Sequence, residues 1–566
     1  MMVSLCVGCL PKPPAYPFQD PEKLTVEAAQ LSDSLAEYIQ QWHRGEVSDT
    51  LLASLLPKGH NTERYKHIRL VKPESLQKEA QWVVRPAHDI DFNKLYGSFP
   101  DPHCTYVVSP VMYAPFGAEL HIKGEFPYCR FFDIQVPPSF TATEYRYDGW
   151  SGKGEVAIVD VDIDPVKGHV NPFRVGADRM AKNRSYEVVY QMAIGNPAIL
   201  NKAHNPPYRG PGNLRYGSAI QLQGPWGLDE KNGHGRGIWD FGDVWIRYFG
   251  VDKDKMPDAG VPLPEMYFQL ATGEKFYMIA DLETFIQESE STMPNRNKGN
   301  NDPAAYNGPE VGWDKQYGIF LSISQGLAKA LGKKSDEDKA YLRALDLSVN
   351  GRAANQPKPA SYEPHATGCN YTGYLLAGMS IKKGKVFVLS GKLPTFPDTR
   401  NQGKTMKAAQ CRYWSITTYD AAFPFSKVKG LENTSIMDDE IVLNENREFI
   451  IVYSRAEDRP ANATRENGIT WVDWGHTDTQ AITLRWISVA PEWSFPYAPN
   501  ELHLPWSTAT WSGENYNVQL IGKNRPGFLK EYHPVKHYMT KTVFEGLGQN
   551  ISKNTLPEWR TITGTN

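Results

Sequence analysis

The sequence predicts a mainly β protein with two related β-sandwich domains, an N-terminal helix and a helical linker between the domains. The 566 residues include 46 Gly and 42 Pro, which implies many turns. Aromatic residues make up 12% of the chain, and flat rings pack well across pleated strands. Most of the chain alternates apolar and polar residues, as half-buried strands do.

Composition also excludes some protein classes. The 61 basic and 64 acidic residues leave a net charge of −3, so the broad basic surface of a duplex-binding protein is missing. We therefore expect no nucleic-acid partner. No run of ~18 apolar residues occurs, which excludes a bundle of membrane-spanning helices.

The first segment, 1–20, resembles a shortened lipoprotein signal followed by a Pro-rich tether. Val7-Gly8-Cys9 matches the end of such a signal, where small residues precede an acylated cysteine, and it makes Cys9 the lipidation candidate. However, no basic region or long apolar run precedes it. An ordinary flexible tail is an alternative, as is a redox or metal pair formed by Cys6 and Cys9.

One helical region precedes the β domains, and a second one separates them. Within the N-terminal helical segment 21–95, apolar residues follow a 3.6-residue period over 24–44, and Gly45 can end that helix. A loop and helical linker cover 291–350, with helices predicted over 313–347. The β domains are then 96–290 and 351–566.

An internal repeat identifies the two β domains. In the first copy a hairpin strand between Gly117 and Gly124 precedes a strand that begins at Cys129-Arg130. The second copy has the same order, with Gly384 to Gly391 preceding Cys411-Arg412. The other matched segments are Ile158–Ile163 with Ile436–Ile441, Tyr186–Tyr190 with Phe449–Tyr453 and, more weakly, Trp245–Tyr248 with Leu484–Trp486. The repeat predicts a duplicated fold.

Four cysteines occupy two equivalent places in the repeat. This pattern predicts two disulfides, Cys104–Cys129 and Cys369–Cys411, each closing a loop worth roughly 3–4 kcal/mol. Disulfides agree with an oxidising, exported location. Four buried thiols are the alternative, because free cysteine also packs well in protein cores.

Several motifs of the second copy occur together in a fixed order. They are Gly391–Arg400, Arg412–Ile416, Asp458–Asn462 and Gly468–Trp474. Because these motifs occur in this order, the chain resembles an uncharacterised family of exported bacterial β-sandwich proteins. The resemblance is clear over roughly 350–540 and weaker over 100–290. The resemblance implies a β-rich fold and export, and no established reaction.

Arg130 and Arg412 stand at the same repeat position inside apolar, aromatic strands. A buried guanidinium needs a carboxylate or several carbonyl groups. Asp133 and Asp420 are near in sequence, although strand alternation puts Asp133 on the face opposite Arg130. The expectation is a structural ion pair, with an anion-binding pocket as the alternative.

Asp160, Asp162 and Asp164 alternate with apolar residues, which predicts three carboxylates on one face of a strand. Such a row can bind calcium, which prefers several oxygen ligands. A solvated edge strand, protected by its charges from aggregation, is the alternative. We predict no other cofactor.

Three further groups are ligand-binding candidates. A Gly-rich loop at 233–243 places polar side chains on backbone that can approach a ligand closely. The other two groups lie in an inserted loop of the second copy and next to a Trp-rich strand of the same copy. The candidates are His234, Arg236, Trp239, Asp240, Asp398, Arg400, Asp473 and His476. An ordinary hairpin connection and ordinary core packing are the alternatives.

The sequence contains no specific catalytic motif, so we expect a non-catalytic protein. We predict a protein exported to the periplasm or cell surface, with Cys9 available for a lipid anchor, which acts as a ligand-binding or accessory subunit of a cell-envelope assembly. Its partners would be envelope proteins, a small molecule or a saccharide. One alternative is an exported hydrolase of carbohydrates or esters with its site at the domain junction. Another is a self-assembling surface protein.

Overall fold

The computed structural model of the chain describes residues 37–47, 68–87, 101–109, 112–115, 118–136, 156–191, 212–216, 238–242, 244–280, 372–401, 403–420, 427–428, 435–475, 479–489, 530–532 and 534–557. The described chain is mainly β. We call residues 68–280 the first half and residues 372–557 the second half.

The strands of the first half are β1 (Ile68–Val71), β2 (Val83–Arg85), β3 (Cys104–Val108), β4 (Met112–Pro115), β5 (Glu119–Glu125), β6 (Phe131–Val136), β7 (Val156–Val159), β8 (Ser185–Gln191), β9 (Leu214–Tyr216), β10 (Ile238–Gly242), β11 (Trp245–Phe249), β12 (Glu265–Gln269) and β13 (Lys275–Ala280). They form two main sheets. Outer sheet 1 has the order β1-β13-β12-β5-β8-β9, and inner sheet 1 has the order β2-β3-β11-β6-β7. Strands β4 and β10 pair separately.

The strands of the second half are β14 (Thr372–Ser380), β15 (Val386–Lys392), β16 (Cys411–Asp420), β17 (Lys427–Val428), β18 (Ser435–Met437), β19 (Glu448–Ser454), β20 (Ile469–Asp473), β21 (Thr479–Val489) and β22 (Val535–Met539). Outer sheet 2 has the order β20-β19-β15-β22. Inner sheet 2 has the order β14-β21-β16-β17, and β18 also pairs with β16.

The two halves share a strand order. In inner sheet 1 the central strand β11 lies between β3 and β6, and in inner sheet 2 the central strand β21 lies between β14 and β16. In each outer sheet the hairpin strand, β5 or β15, has antiparallel neighbours on both sides. One of those neighbours continues into a parallel pair, β8 with β9 or β19 with β20.

Burial along the strands follows their sequence patterns. Strand β8 alternates half-buried and buried residues, because one face covers the core and the other does not. Strand β6 is buried throughout, since it lies inside a sheet that is covered on both faces. The sandwich core of the first half includes Leu120, Phe132 and Tyr186.

Helices are few among the described residues. A helical segment, α1, covers 37–43, and Tyr38, Ile39 and Trp42 are buried on one side of it. Gly45 follows with a φ of 75°, and its N–H bonds the Trp42 carbonyl, which agrees with the predicted helix end. Residues 24–36 and the predicted linker helices over 313–347 lie outside the described residues. No described helix has the length and apolarity to cross a membrane.

A second helix, α2 (Lys541–Gly546), follows β22 near the C-terminus. The Thr540 hydroxyl caps it by accepting the Val543 N–H at 3.2 Å. The remaining helical turns are short 3-10 turns at Pro73–Ser75, Lys78–Gln81, Asp160–Asp162, Lys253–Lys255, Ile381–Lys383, Asp438–Glu440, Ala456–Asp458, Arg465–Asn467 and Lys530–Tyr532.

The predicted disulfide between Cys104 and Cys129 is wrong, because both side chains are buried free thiols. Strand β11 separates β3, which begins at Cys104, from β6, which follows Cys129. Cys104 lies opposite Phe249, and Phe249 lies opposite Phe131. Two strand spacings of about 4.8 Å exceed the ~7 Å between Cα atoms that a disulfide can bridge.

The other predicted disulfide is only partly described. Cys411 is a buried free thiol whose Sγ donates to the Tyr413 carbonyl at 3.1 Å, and burial raises its pKa to about 12. Cys369 lies outside the described residues, as does Cys9. The thiols of Cys104, Cys129 and Cys411 therefore pack as apolar core groups, and they provide no support for an oxidising compartment.

Candidate functional site

Arg130 and Arg412 lie at the junction of the two halves, and each binds a carboxylate. Arg130 pairs with Asp438, which begins a 3-10 turn of the second half. Arg412 pairs with Asp160 at 3.1 Å, and Asp160 begins the corresponding turn of the first half. All four side chains are fully buried. Since each arginine binds a carboxylate of the other half, the junction is held by two reciprocal ion pairs.

Each carboxylate of these pairs also accepts a backbone N–H. The Phe132 N–H donates to Asp160 at 2.9 Å, and the Trp414 N–H donates to Asp438 at 3.0 Å. Both donors stand two residues after the junction arginine of their own half. The carboxylate thus connects the strand of its own half to the guanidinium of the other half.

Burial sets the electrostatics of the junction. Desolvation raises the pKa of Asp160 to about 7 despite its Arg412 partner, and it lowers the pKa of Arg412. Burial also raises the pKa of Asp438 above its usual range. Removing charge from water is costly here, and the extra hydrogen bonds offset part of that cost.

Arg400, another predicted ligand-binding residue, is buried in the same junction. Its Nη1 lies 3.1 Å from Asp439 and 3.0 Å from Glu440. Its Nε donates to the Val251 carbonyl of the first half. Arg130, Arg412 and Arg400, the junction arginines among the ligand-binding candidates, therefore all bind carboxylates of this chain.

The inserted loop of the second half packs on a loop of the first half. The Arg179 guanidinium binds Asp252 with two contacts of 2.8 Å and also donates to carbonyls of Thr399 and Gly403. The Arg179 N–H donates to the Lys404 carbonyl. The loop that the sequence offers as a ligand-binding insertion forms part of the contact between the halves.

A second pair of equivalent arginines is neutralised differently in the two halves. Arg247 binds Asp133 on the neighbouring strand at 2.5 and 2.8 Å. Arg485 has Ser415 at that neighbouring position, and its carboxylate is Asp101 of the first half, at 3.6 Å. The Ser415 hydroxyl also donates to Asp101, at 2.6 Å.

The three aspartates of the predicted calcium row do not share a face. Residues Asp160–Asp162 form a 3-10 turn instead of a strand, so the predicted alternation is wrong there. Asp160 is buried on Arg412, Asp162 is half-buried, and the exposed Asp164 pairs with Arg174 at 2.6 Å. Within the described ranges, no group of three His, Cys, Asp or Glu side chains is arranged to hold a metal ion.

Of the candidates in the Gly-rich loop, two lie on a described strand. Trp239 and Asp240 stand on β10 opposite Ala114 and Tyr113 of β4, and their side chains are outside what is described. His234 and Arg236 lie outside the described residues altogether.

The last candidates of the second half make local contacts. Asp398 is exposed and accepts the Asn401 side-chain N–H at 3.1 Å. The half-buried Asp473 ends β20 and accepts the Gly475 N–H at 2.6 Å. His476, its predicted neighbour in a binding group, lies outside the described residues. These contacts bring neither aspartate to the junction arginines.

The face of outer sheet 1 that points away from the core carries a group of charged and aromatic side chains. We call this group the outer-face cluster; its members are Glu119, His121, Lys123, Glu187, Glu265, Tyr267, Lys275 and Tyr277. They lie on four adjacent strands in the order β13-β12-β5-β8. The cluster is therefore continuous across the middle of the sheet.

A chain of hydrogen bonds fixes the centre of the cluster. Glu187 accepts the His121 Nδ1–H at 2.8 Å and the Tyr267 hydroxyl at 2.9 Å. The His121 and Tyr267 rings stack at 4.7 Å with planes 9° apart. The Nε2 of His121 faces Glu119 at 3.3 Å. These contacts hold four side chains in a defined arrangement, in which His121 and Tyr267 are buried and the two glutamates are partly exposed.

Cations and a second tyrosine surround this centre. The Lys123 and Lys275 ammonium groups lie 5.2 and 4.5 Å from the centroid of the Tyr267 ring. Tyr277 donates to Glu265 at 2.8 Å, and burial raises its pKa to about 12.

The charge of the central carboxylate follows from its contacts. Burial opposes ionisation of Glu187, but the hydrogen bonds from His121 and Tyr267 outweigh it and lower the pKa of Glu187. Glu187 is therefore an ionised acceptor at neutral pH.

The corresponding face of outer sheet 2 is apolar and covered. Counting from Gly124 and Gly391, Val386, Val388 and Ser390 stand where outer sheet 1 has Glu119, His121 and Lys123. This face packs against α2 and the segment that follows it. The buried apolar residues are Val386, Val388, Ile450, Val452, Ala463, Ile469, Met539, Phe544, Ile551 and Leu556.

One polar pair lies within this covered face. His537 Nδ1 donates to the Pro557 carbonyl at 2.9 Å, which leaves Nε2 to accept from the Ser390 hydroxyl at 3.4 Å. Burial lowers the pKa of His537, so its ring is neutral at neutral pH. Although a serine and a basic nitrogen meet here, both residues are buried, and the pair serves to satisfy polar groups in the packed layer.

The outer-face cluster is absent from the sequence-based candidates, but the sequence contains a signal for part of it. Glu119, His121 and Lys123 alternate with Leu120 and Ile122, which indicates a strand with one polar face. Their partners on β8, β12 and β13 come from distant parts of the chain and are neighbours of β5 only in space. Only the strand order shows that these side chains meet.

Comparison with known proteins adds little to this description. No protein-family model matches the chain, and no curated protein matches it. Among solved structures, an uncharacterised protein from Burkholderia cenocepacia is 11% identical with a TM-score of 0.34, and the match covers 83% of this chain and 96% of that one. The VPA0106 protein from Vibrio parahaemolyticus is 10% identical with a TM-score of 0.28, with the same coverage. Neither similarity assigns an activity.

Proposed function

We propose that this protein is a non-catalytic binding protein whose ligand or partner is recognised by the outer-face cluster of outer sheet 1. The observation that carries the proposal is the contrast between the two outer faces. Outer sheet 2 is covered by the chain that follows β22, which forms α2. The chain that follows β12 instead forms β13 and extends outer sheet 1 sideways.

The arrangement of the cluster supports a binding role. Its central side chains are held by hydrogen bonds and stacking, so little side-chain freedom remains to be lost when a ligand binds. At the junction, by contrast, Arg130, Arg400 and Arg412 already bind carboxylates of this chain. This favours binding at the outer face over the hydrolase alternative, in which the site would lie between the domains.

We also infer that the two halves arose by duplication of one β-sandwich domain. The shared strand orders support this, and so do the matching junction contacts of Arg130 with Asp438 and Arg412 with Asp160. In such a history the outer face of one copy became covered by α2, while that of the other copy came to carry the outer-face cluster.

The binding role can be tested by photo-crosslinking in the full-length protein. A benzophenone amino acid at Glu125, next to the cluster on the same face of β5, should form an adduct of defined mass with the ligand or partner in native cell-envelope material. Lys392, at the corresponding position of β15 in the second half, is the matched control position. Adducts that are equal at both positions, or absent at Glu125, would contradict the proposal.

Attachment to the cell envelope is a further part of the proposal, and it depends on Val7-Gly8-Cys9. Intact mass of the protein from its native membrane fraction should show a diacylglyceryl group on Cys9. An unmodified chain would remove the envelope from the proposal and leave the binding role in place.

A further inference from the structure

We propose that the outer-face cluster binds a neutral saccharide, through hydroxyl groups that bond alternately to its carboxylates and ammonium groups. This inference rests on the proposed binding role and names the class of ligand. Its evidence is the balance of charge, the spacing of donors and acceptors and the shape of the cluster.

The charges of the cluster are balanced. Glu119, Glu187 and Glu265 supply three carboxylates, while Lys123 and Lys275 supply two ammonium groups. Lys78, which lies 3.5 Å from Glu265, supplies a third. A polyanion or a polycation would meet like charges on such a surface, whereas a neutral polar ligand would not.

Donors and acceptors alternate over short distances. Lys123 Nζ lies 3.6 Å from Glu187 Oε1, and Lys275 Nζ lies 3.4 Å from the Tyr267 hydroxyl. A sugar hydroxyl is both a donor and an acceptor, so it can donate to a carboxylate and accept from the neighbouring ammonium. Hydrogen bonds to charged groups are stronger than those between neutral groups.

The composition of the cluster disfavours a protein partner. Protein interfaces are depleted in Lys and Glu relative to the rest of the surface, and their buried centres are more apolar. Here Lys and Glu supply five of the eight members, and the Tyr267 ring is already stacked on His121. The cluster spans four strands, about 14 Å at the usual strand spacing, which suits a short oligosaccharide.

The experiment is calorimetric titration of the full-length protein with maltohexaose, cellohexaose and chitohexaose, with a hyaluronan hexasaccharide as the charged comparison. We expect saturable binding of at least one neutral hexasaccharide. Glu187→Gln and Lys123→Gln should each weaken it by about tenfold or more, because each removes a charged hydrogen-bonding group.

Lys392→Gln is the matched control, because it makes the same chemical change on β15, and it should leave affinity unchanged. Thermal unfolding of each variant checks that the fold is retained. Binding of the hyaluronan fragment alone, binding that is insensitive to both cluster variants, or no binding of any hexasaccharide would overturn the saccharide inference. If adducts still form at Glu125 in any of those cases, the binding role stands with a different ligand.

Discussion

The two halves are alike where they meet and unlike where they face away from each other. At the junction, Arg130 and Arg412 make corresponding contacts with Asp438 and Asp160. On the outer sheets, His121 of one half stands where Val388 of the other is buried beneath α2. The junction requires both halves to keep complementary charges, whereas each outer face can change without disturbing the other half.

The largest effects should come from breaking the junction. Arg130→Met and Arg412→Met should each lower the free energy of unfolding by about 3–5 kcal/mol, because each leaves a buried carboxylate without its partner. Urea denaturation measures both losses. Arg174→Met, which removes an exposed ion pair with Asp164, is the control and should cost under about 1 kcal/mol. A large loss at one junction arginine alone would show that the halves are not alike there.

A pH effect of about a few kcal/mol should come from Asp160, whose pKa burial raises from 3.8 to about 7. Between these values the folded chain holds a proton on Asp160 that the unfolded chain has lost, so this group makes the protein less stable as pH rises from about 4 to about 7. Asp160→Asn should remove that part of the pH dependence of urea denaturation. Asp164→Asn, at an exposed position, should leave it in place. Equal pH profiles for the wild type and Asp160→Asn would contradict the raised pKa.

Variants on the two outer faces should lose different amounts of stability, and the smallest loss should come from the outer-face cluster. Phe544→Ala should cost about 3 kcal/mol, because it opens a cavity between α2 and outer sheet 2. Glu187→Gln should cost under about 1 kcal/mol, because its side chain is partly exposed and stays polar. Chemical denaturation of the two variants compares the face that α2 covers with the outer-face cluster. Equal losses would mean that the cluster is a structural element of outer sheet 1.

Much of the local structure can be predicted from sequence patterns. The mainly β character follows from composition and alternation, and α1 ends at Gly45 as its sequence predicts. The buried environment of Arg130 and Arg412 follows from their apolar neighbours. These properties depend on residues close together in the chain.

Predictions that depend on distant neighbours are less successful. Asp133 and Asp420 are the carboxylates near the junction arginines in sequence, but the partners are Asp438 and Asp160, 308 and 252 residues away. The predicted disulfide of Cys104 fails because β11 lies between the two strands that its cysteines flank. The row of three aspartates that begins at Asp160 diverges because the chain turns there instead of continuing as a strand.

The sequence by itself determined that the chain is mainly β, that Arg130 and Arg412 lie among apolar residues and that their motif is repeated. Only the tertiary structure decided that the repeated arginines exchange partners across the junction, that α2 covers the outer face of one half and that the outer face of the other half carries the outer-face cluster. The physical reason is that strand character and local burial depend on the pattern of apolar and polar residues adjacent in the chain. Ion pairs and the surroundings of a sheet face depend instead on the order in which distant strands hydrogen-bond.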